Sequence, residues 1–280
     1  MTLKELVKLI TPPFLINIAK RIRQSSGNRS TDAYGLSGDY HSWNEAMAAS
    51  AGYDSGIILE KTRSALLKVK NNEAVYERDS VLLDEIDYAW PVLAGLMWVA
   101  AHHGGTLNVL DFGGSLGSTY FQNRTFLSGL PVVRWNIVEQ TRHVETGKAW
   151  FEDNRLRFFA DIAGCLANTQ PNIVLLSSVL QYLEQPYIVI DQIMTLPCDH
   201  VIIDRTPFWS GPTDRLCVQS VSPSIYPASY PCWIFSRPKF QAFLKETWQI
   251  VADFNSLDNL SAPVKTIWQG MILDRKKRAE

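Results

Sequence analysis

The run Thr106 to Gly117, TLNVLDFGGSLG, constrains the fold more than any other stretch of the chain. An apolar, β-rich segment from Leu107 to Phe112 ends in a turn holding three glycines and a serine. A continuous apolar run of this length, closed by a turn, reads as a strand of a parallel sheet buried on both faces. Gly113, Gly114 and Gly117 can take positive φ and let backbone N–H groups approach a ligand with no Cβ in the way. Asp111 lies before the first glycine. In dinucleotide-binding turns the acid instead comes about 20 residues later. The pattern here is D-x-G-x-S-x-G, and Ser115 suits it if its φ is ordinary.

The same alternation recurs downstream. Val132 to Val138 is a second apolar run, closed by Glu139. A helical stretch, Gln140 to Glu152, leads to a short strand, Leu156 to Phe159, and Asp161. Pro171 to Val179 reads as a fourth buried strand containing Ser177 and Ser178. A helix from Pro186 to Leu196 then precedes a fifth strand, His200 to Asp204. Strands alternating with helices predict a doubly wound α/β sheet. Such sheets bind ligands at the carboxyl ends of their strands. Asp111, Glu139, Asp161, Ser177 and Asp204 all fall at expected strand ends.

The D-x-G-x-S-x-G turn resembles motif I of the class I S-adenosylmethionine (SAM) dependent methyltransferases, D/E-x-G-x-G-x-G. The resemblance implies a Rossmann-like sheet and SAM as cofactor. It implies that Asp111, Gly113, Gly114, Ser115 and Gly117 form the cofactor loop and that Glu139 takes the two ribose hydroxyls. Asp161 would bind the adenine amine, and Ser177 and Ser178 would face the methionine part. The segments GDYHSW, GYDS, LLSSVLQYLEQP, RTPF and VQSVSPSIYPASYPCWIFS look like one bacterial methyltransferase family encoded among surface-polysaccharide genes such as those for O-antigen. That likeness runs from about Leu9 to Asp274 and includes the Pro12–Pro13 pair.

The implied reaction is methyl transfer to a sugar or nucleotide-linked sugar. A sugar hydroxyl is a weak acid and calls for a base. His41, Asp204, Tyr226 and Tyr230 are the candidates. Arg205 and Tyr182 are the candidate substrate-binding residues. Arg205 could neutralise Asp204 or hold an anionic acceptor such as a phosphate. Residues 206–236, rich in proline and tyrosine, are expected to cover the cleft. A non-catalytic scaffold of the same fold in a glycan-synthesis complex stays open as an alternative. A nicotinamide dehydrogenase is disfavoured by the early Asp111.

The chain has 280 residues, 46% hydrophobic and 20% charged, with a net charge of −1. This is the composition of an ordinary globular protein, with no basic face that points to nucleic acid. Three segments are expected: a basic amphipathic helix and linker (1–30), a helical cap (31–104) and the SAM-binding α/β domain (105–280). Within the cap, Ser42 and Glu45 form a capping box, Asp54 can cap a second helix, and Ala89 to Ala101 reads as a core helix. The four cysteines show no C-x-x-C spacing and read as free thiols of a reducing compartment. The scattered histidines give no metal site; His102 and His103 read as residues at a helix C-terminus. No run reaches the roughly 18 apolar residues of a membrane span, and no signal peptide is seen, so a cytoplasmic location is expected. Residues 1 to 29 carry an excess of five positive charges. They suit either peripheral contact with an anionic membrane or docking on protein. The oligomeric state has no signature.

Overall fold

The computed structural model describes residues 34–52, 55–223 and 225–276. The basic segment 1–29 and the capping candidate Asp54 lie outside them. The described residues form one compact unit.

The sequence alternation becomes a doubly wound sheet. Its parallel core runs through β4 (Thr106–Phe112), β5 (Val132–Val138), β6 (Leu156–Phe159), β7 (Ile173–Ser177) and β8 (His200–Trp209). The spatial order is β6-β5-β4-β7-β8. Beyond β8 come β12 (Ile267–Arg275), antiparallel to it, and then β11 (Trp248–Asn255). The strand order reverses between β4 and β7, so the crevice for a ligand opens at their carboxyl ends. The period-2 pattern of each strand feeds two cores. Leu107 and Val109 of β4, with Ile173 and Leu175 of β7, join one hydrophobic cluster; Leu110, Val174 and Leu176 join the other.

Helices cover both faces. On the first face lie α2 (Ser55–Lys70), α3 (Trp90–His102), α4 (Ser118–Leu127) and α5 (Thr141–Trp150). On the second lie α6 (Ile162–Leu166), α7 (Pro186–Met194) and α8 (Arg237–Leu244). The preceding helix α1 (Trp43–Ala49) starts at Ser42, whose side chain accepts from the Glu45 amide at 3.2 Å. The Glu45 carboxylate accepts at 2.9 Å from the amide of His41, one residue before the cap, so the Ser42 half of the expected capping box forms while the reciprocal bond goes to the neighbouring amide. Pro91 sits in the first turn of α3, where its missing N–H costs nothing.

The segment 31–104 is not the all-helical cap the sequence suggested. It supplies β1 (Gly35–Tyr40) and the hairpin β2 (Tyr76–Arg78) and β3 (Val81–Leu83), while α3 belongs to a layer of the main core. Local pattern failed at β1 because its pairing is with β9 (Arg215–Val221), about 180 residues later, beginning at Gly35 opposite Ser220. Residues 206–236 are likewise strands more than loop. β8 continues to Trp209, and β9 pairs with β10 (Ala228–Ser236) in an antiparallel hairpin. With β1 this hairpin makes a three-stranded extension past the carboxyl ends of the core strands. All four cysteines are buried and free. Among the described residues no helix is long and apolar enough to cross a membrane.

Candidate functional site

A cavity of about 570 Å³ opens where the strand order reverses. Its floor is the glycine turn after β4, the Ser177–Ser178 end of β7 and the Asp204–Arg205 step of β8. Its walls come from the β2–β3 turn, the β9–β10 hairpin and the loop around Asp258.

The glycines of the turn are required by space. A Cβ on Gly113 would lie 2.4 Å from Val179 Cγ2, and its φ is +74°. A Cβ on Gly114 would lie 2.4 Å from the Asp111 Oδ2 atom. The turn therefore wraps its own carboxyl, and a side chain at either position would close the cradle. Ser115 has φ +52°, not the ordinary value expected of it. It occupies the left-handed region, so the loop keeps a glycine-like path at the cost of strain.

That strain is not isolated. The described non-glycine residues with positive φ are Asn72, Asp79, Ser80, Ser115, Ser178 and Arg205, and all but Asn72 line this cavity. Left-handed backbone costs about 1–3 kcal/mol per residue and persists where surroundings hold it. Gln181 is one such brace. Its Nε2 donates to Ser178 Oγ at 3.3 Å and to the Arg205 carbonyl at 3.1 Å, joining the ends of β7 and β8. Arg205 itself belongs to a β-bulge. Ile203 faces Met271 and Thr206 faces Gln269, which leaves Asp204 and Arg205 opposite Gly270 alone. Such a bulge re-aims side chains, and here it turns both residues to the cavity.

Asp111 is buried, and Trp135 Nε1 donates to its Oδ2 at 2.8 Å. Burial pushes its carboxyl up to about 7. Asp204 is also buried and raised by burial, with Ser256 Oγ donating to Oδ1 at 2.8 Å. Glu77, from β2, is a third raised, buried carboxyl in the wall, and no motif in the sequence marked it. None of the three has a cationic side chain within ion-pair distance among the described residues.

The arginines are committed elsewhere. Arg205 Nε and Nη2 reach the two Asp258 oxygens at 2.9 and 3.1 Å, and Nη2 also reaches Asp79 at 2.6 Å. Arg78 pairs with Asp258 at 3.0 Å. Those carboxylates hold the Arg205 guanidinium firmly protonated. Arg205 makes no ion pair with Asp204, although its charge and backbone amide oppose the rise of that carboxyl, and its own charge is balanced by Asp79 and Asp258.

Tyr182, Tyr226 and Tyr230 line the cavity. Tyr182 donates to Gln219 Oε1 at 2.9 Å, and its ring meets Tyr230 edge-on at 5.3 Å. Burial raises all three phenols. His41 is exposed beyond β1 and does not line the cavity. Glu139 and Asp161 also lie outside it. Glu139 accepts from the Gln140 amide at 2.6 Å and stands 4.0 Å from His143 Nδ1. Asp161 is the N-cap of α6, accepting from the Gly164 amide at 2.6 Å, so local backbone already uses the carboxyl expected to meet adenine. Among the described residues no group of three His, Cys, Asp or Glu side chains could hold a metal.

No family model and no curated protein matches the chain. Solved structures with a similar outline include three chains described with SAM or S-adenosylhomocysteine. The N-terminal domain of EvdMO1, crystallised with S-adenosylhomocysteine (SAH) and D-fucose, has a TM-score of 0.47 at 12% identity, over 81% of this chain and 98% of that one. Magnesium protoporphyrin IX methyltransferase from Synechocystis PCC 6803, with bound SAM, gives 0.43 at 12% identity, over 81% and 99%. CalS10, an amino pentose methyltransferase from Micromonospora echinaspora, gives 0.42 at 11%, over 68% and 93%. At these values nothing about activity passes from those proteins to this chain.

Proposed function

We propose that the chain is a SAM-dependent methyltransferase acting on a hydroxyl of a sugar in surface-polysaccharide synthesis. The observation that carries the cofactor is the cavity at the β4/β7 switch point, with its glycine cradle and three buried carboxyls that have no cationic side chain within ion-pair distance among the described residues. A desolvated carboxylate without a counter-charge is costly. A cationic ligand relieves that cost, whereas a dinucleotide diphosphate would add to it. The polysaccharide setting rests on the sequence resemblance.

Bound there, the cofactor supplies a methyl group already activated on a sulfonium. The protein's tasks are to orient the acceptor and take one proton. The loop from Asp111 to Gly117 and the serines Ser177 and Ser178 hold the methionine side. Glu139, just past the end of β5 and outside the cavity, is assigned the ribose hydroxyls on the sequence resemblance alone. Asp204, aimed by the bulge, would take the proton from the acceptor hydroxyl as that oxygen is methylated. Tyr226 and Tyr230 hydrogen-bond the acceptor. Arg205 has no spare charge for a phosphate, so the cavity suits a neutral hydroxyl compound better than a nucleotide-linked sugar.

The test is Asp204→Asn. SAH affinity should stay within about twofold while methyl transfer to a panel of neutral glycosides falls by about 10²–10⁴, the usual worth of a positioned base. Full transfer by the variant would remove Asp204 from the chemistry. Failure of the parent chain to bind SAH in calorimetry would remove the cofactor.

A further inference from the structure

Glu77 is a buried carboxyl that takes no part in the proposed proton transfer. It is 1% exposed and reaches from β2 to the first turn of α4. Ser118 Oγ donates to Oε2 at 2.5 Å, and the Ser80 amide donates to Oε1 at 2.6 Å. Ser118 is the first residue of α4, and the preceding cap, Gly117, offers no side-chain bond. The carboxylate thus stands where the positive end of a helix emerges. A glycine loop leading into a helix N-terminus is ordinarily an anion site. Here the protein has placed its own anion there.

Two hydrogen bonds leave about half of the acceptor capacity of a carboxylate unused. Glu77 lines the cavity beside Asp111, Gly113 and Ser118, on the glycine-loop side. The tyrosines and Asp204 belong to other strands. Arg205 acts on Glu77 only from a distance, so the ligand group that best fits the remaining acceptor capacity is a cation that donates hydrogen bonds and sits against the loop. A sulfonium carries charge but no N–H. A primary ammonium carries charge and three donors.

We infer that Glu77 is a specificity residue that receives the α-ammonium of the cofactor's amino-acid end and bars phosphate-bearing ligands from the loop. The inference rests on the reading of this cavity as a SAM site. It assigns a ligand contact to a residue outside the D-x-G-x-S-x-G motif.

The test pairs a change in the protein with a change in the ligand, read by calorimetry on the full chain. SAH is compared with its deaminated analogue, in which a carboxypropyl group replaces the amino-acid end, and with 5′-methylthioadenosine, which lacks that end entirely. The parent should bind SAH about ten-fold or more tightly than the deaminated analogue, as expected for a hydrogen bond between charged groups. In Glu77→Gln that preference should collapse to within about twofold, while methylthioadenosine binds as before. A preference that survives in Glu77→Gln overturns the assignment. So does equal weakening of all three ligands, which would make Glu77 only a brace for α4. If Glu77→Gln does not fold, the parent alone decides, because equal affinity for SAH and its deaminated analogue refutes an ammonium contact. Should the parent bind none of the three, the SAM reading itself fails, a result distinct from loss of the ammonium preference.

Discussion

Asp111→Asn should make the protein more stable at neutral pH while weakening its hold on SAM. The carboxyl is buried in the sheet end and wrapped by its own glycine turn. Burial raises it from 3.8 to about 7, with the Trp135 hydrogen bond opposing and the Glu139 charge adding to the rise. Between those two values the folded chain keeps a proton that the unfolded chain has released. Stability therefore falls as pH rises through that window and levels off above it. That rise corresponds to about 4 kcal/mol at pH 8, and to well under half of that at pH 5. Asparagine removes the titration. Its side-chain oxygen can still accept from Trp135, although an amide acceptor gives up about 1 kcal/mol against a charged one. The net expectation is a gain of about 2–3 kcal/mol at pH 8 and little change at pH 5. Urea denaturation of parent and variant at both pH values measures it, since the other titrating groups cancel in the difference. A parent–variant difference that does not grow between pH 5 and pH 8 would refute a raised carboxyl at this position. On the proposed reading, SAM affinity at pH 8, where the parent carboxyl is ionised, should drop in the same variant because that negative charge is gone; stability gained at the expense of function marks a working site.

Three further outcomes are expected. Glu139→Ala should lose about 1.5–3 kcal/mol of SAM affinity, the range for hydrogen bonds to a charged group; unchanged calorimetric affinity would give the ribose another partner. Ser115→Gly should raise stability by about 0.5 kcal/mol in thermal melts, since relief of left-handed strain slightly exceeds the entropy of an added glycine, and a ten-fold change in SAM affinity would instead show that the hydroxyl touches the ligand. Deleting residues 1–29 should leave SAH affinity unchanged, because the glycine loop and the strand ends that build the cavity floor all lie at position 106 or later. If that basic segment meets anionic lipid, the parent alone should sediment with anionic vesicles at low salt and release at high salt.

Gly113→Val would block the loop directly, yet it is a poor probe. The φ of +74° and the contact with Val179 Cγ2 put the new side chain into backbone strain and core together. A loss of binding would then report on folding as much as on the site.

The core of the fold was legible in the sequence because its signals are local. The runs 107–112, 132–138 and 156–159 became strands within a residue of their apolar limits, and 200–204 became the first half of a longer strand. Burial on both faces leaves a continuous apolar run, and the glycine turn after Asp111 needs only its own neighbours. The alternation with helices then dictated a doubly wound sheet. The switch point, and with it the cavity beside Asp111, Ser177 and Asp204, came with that topology.

What the sequence could not carry depends on pairs distant along the chain. β1 exists only because Gly35 finds Ser220. Arg205 reads as a free cation beside Asp204 until Asp79 and Asp258 arrive from two other parts of the chain and neutralise it. The bulge that aims Asp204 is set by the register of β12 against β8, and the left-handed φ of Ser115 appears only in the folded loop. Glu77 sits in a three-residue strand with no motif around it, and its role at the end of α4 appears only when the hairpin folds across Ser118. Residue type and spacing determined where a ligand could bind; tertiary contacts decided which charges remain there to meet it, because burial and pairing are properties of neighbours in space.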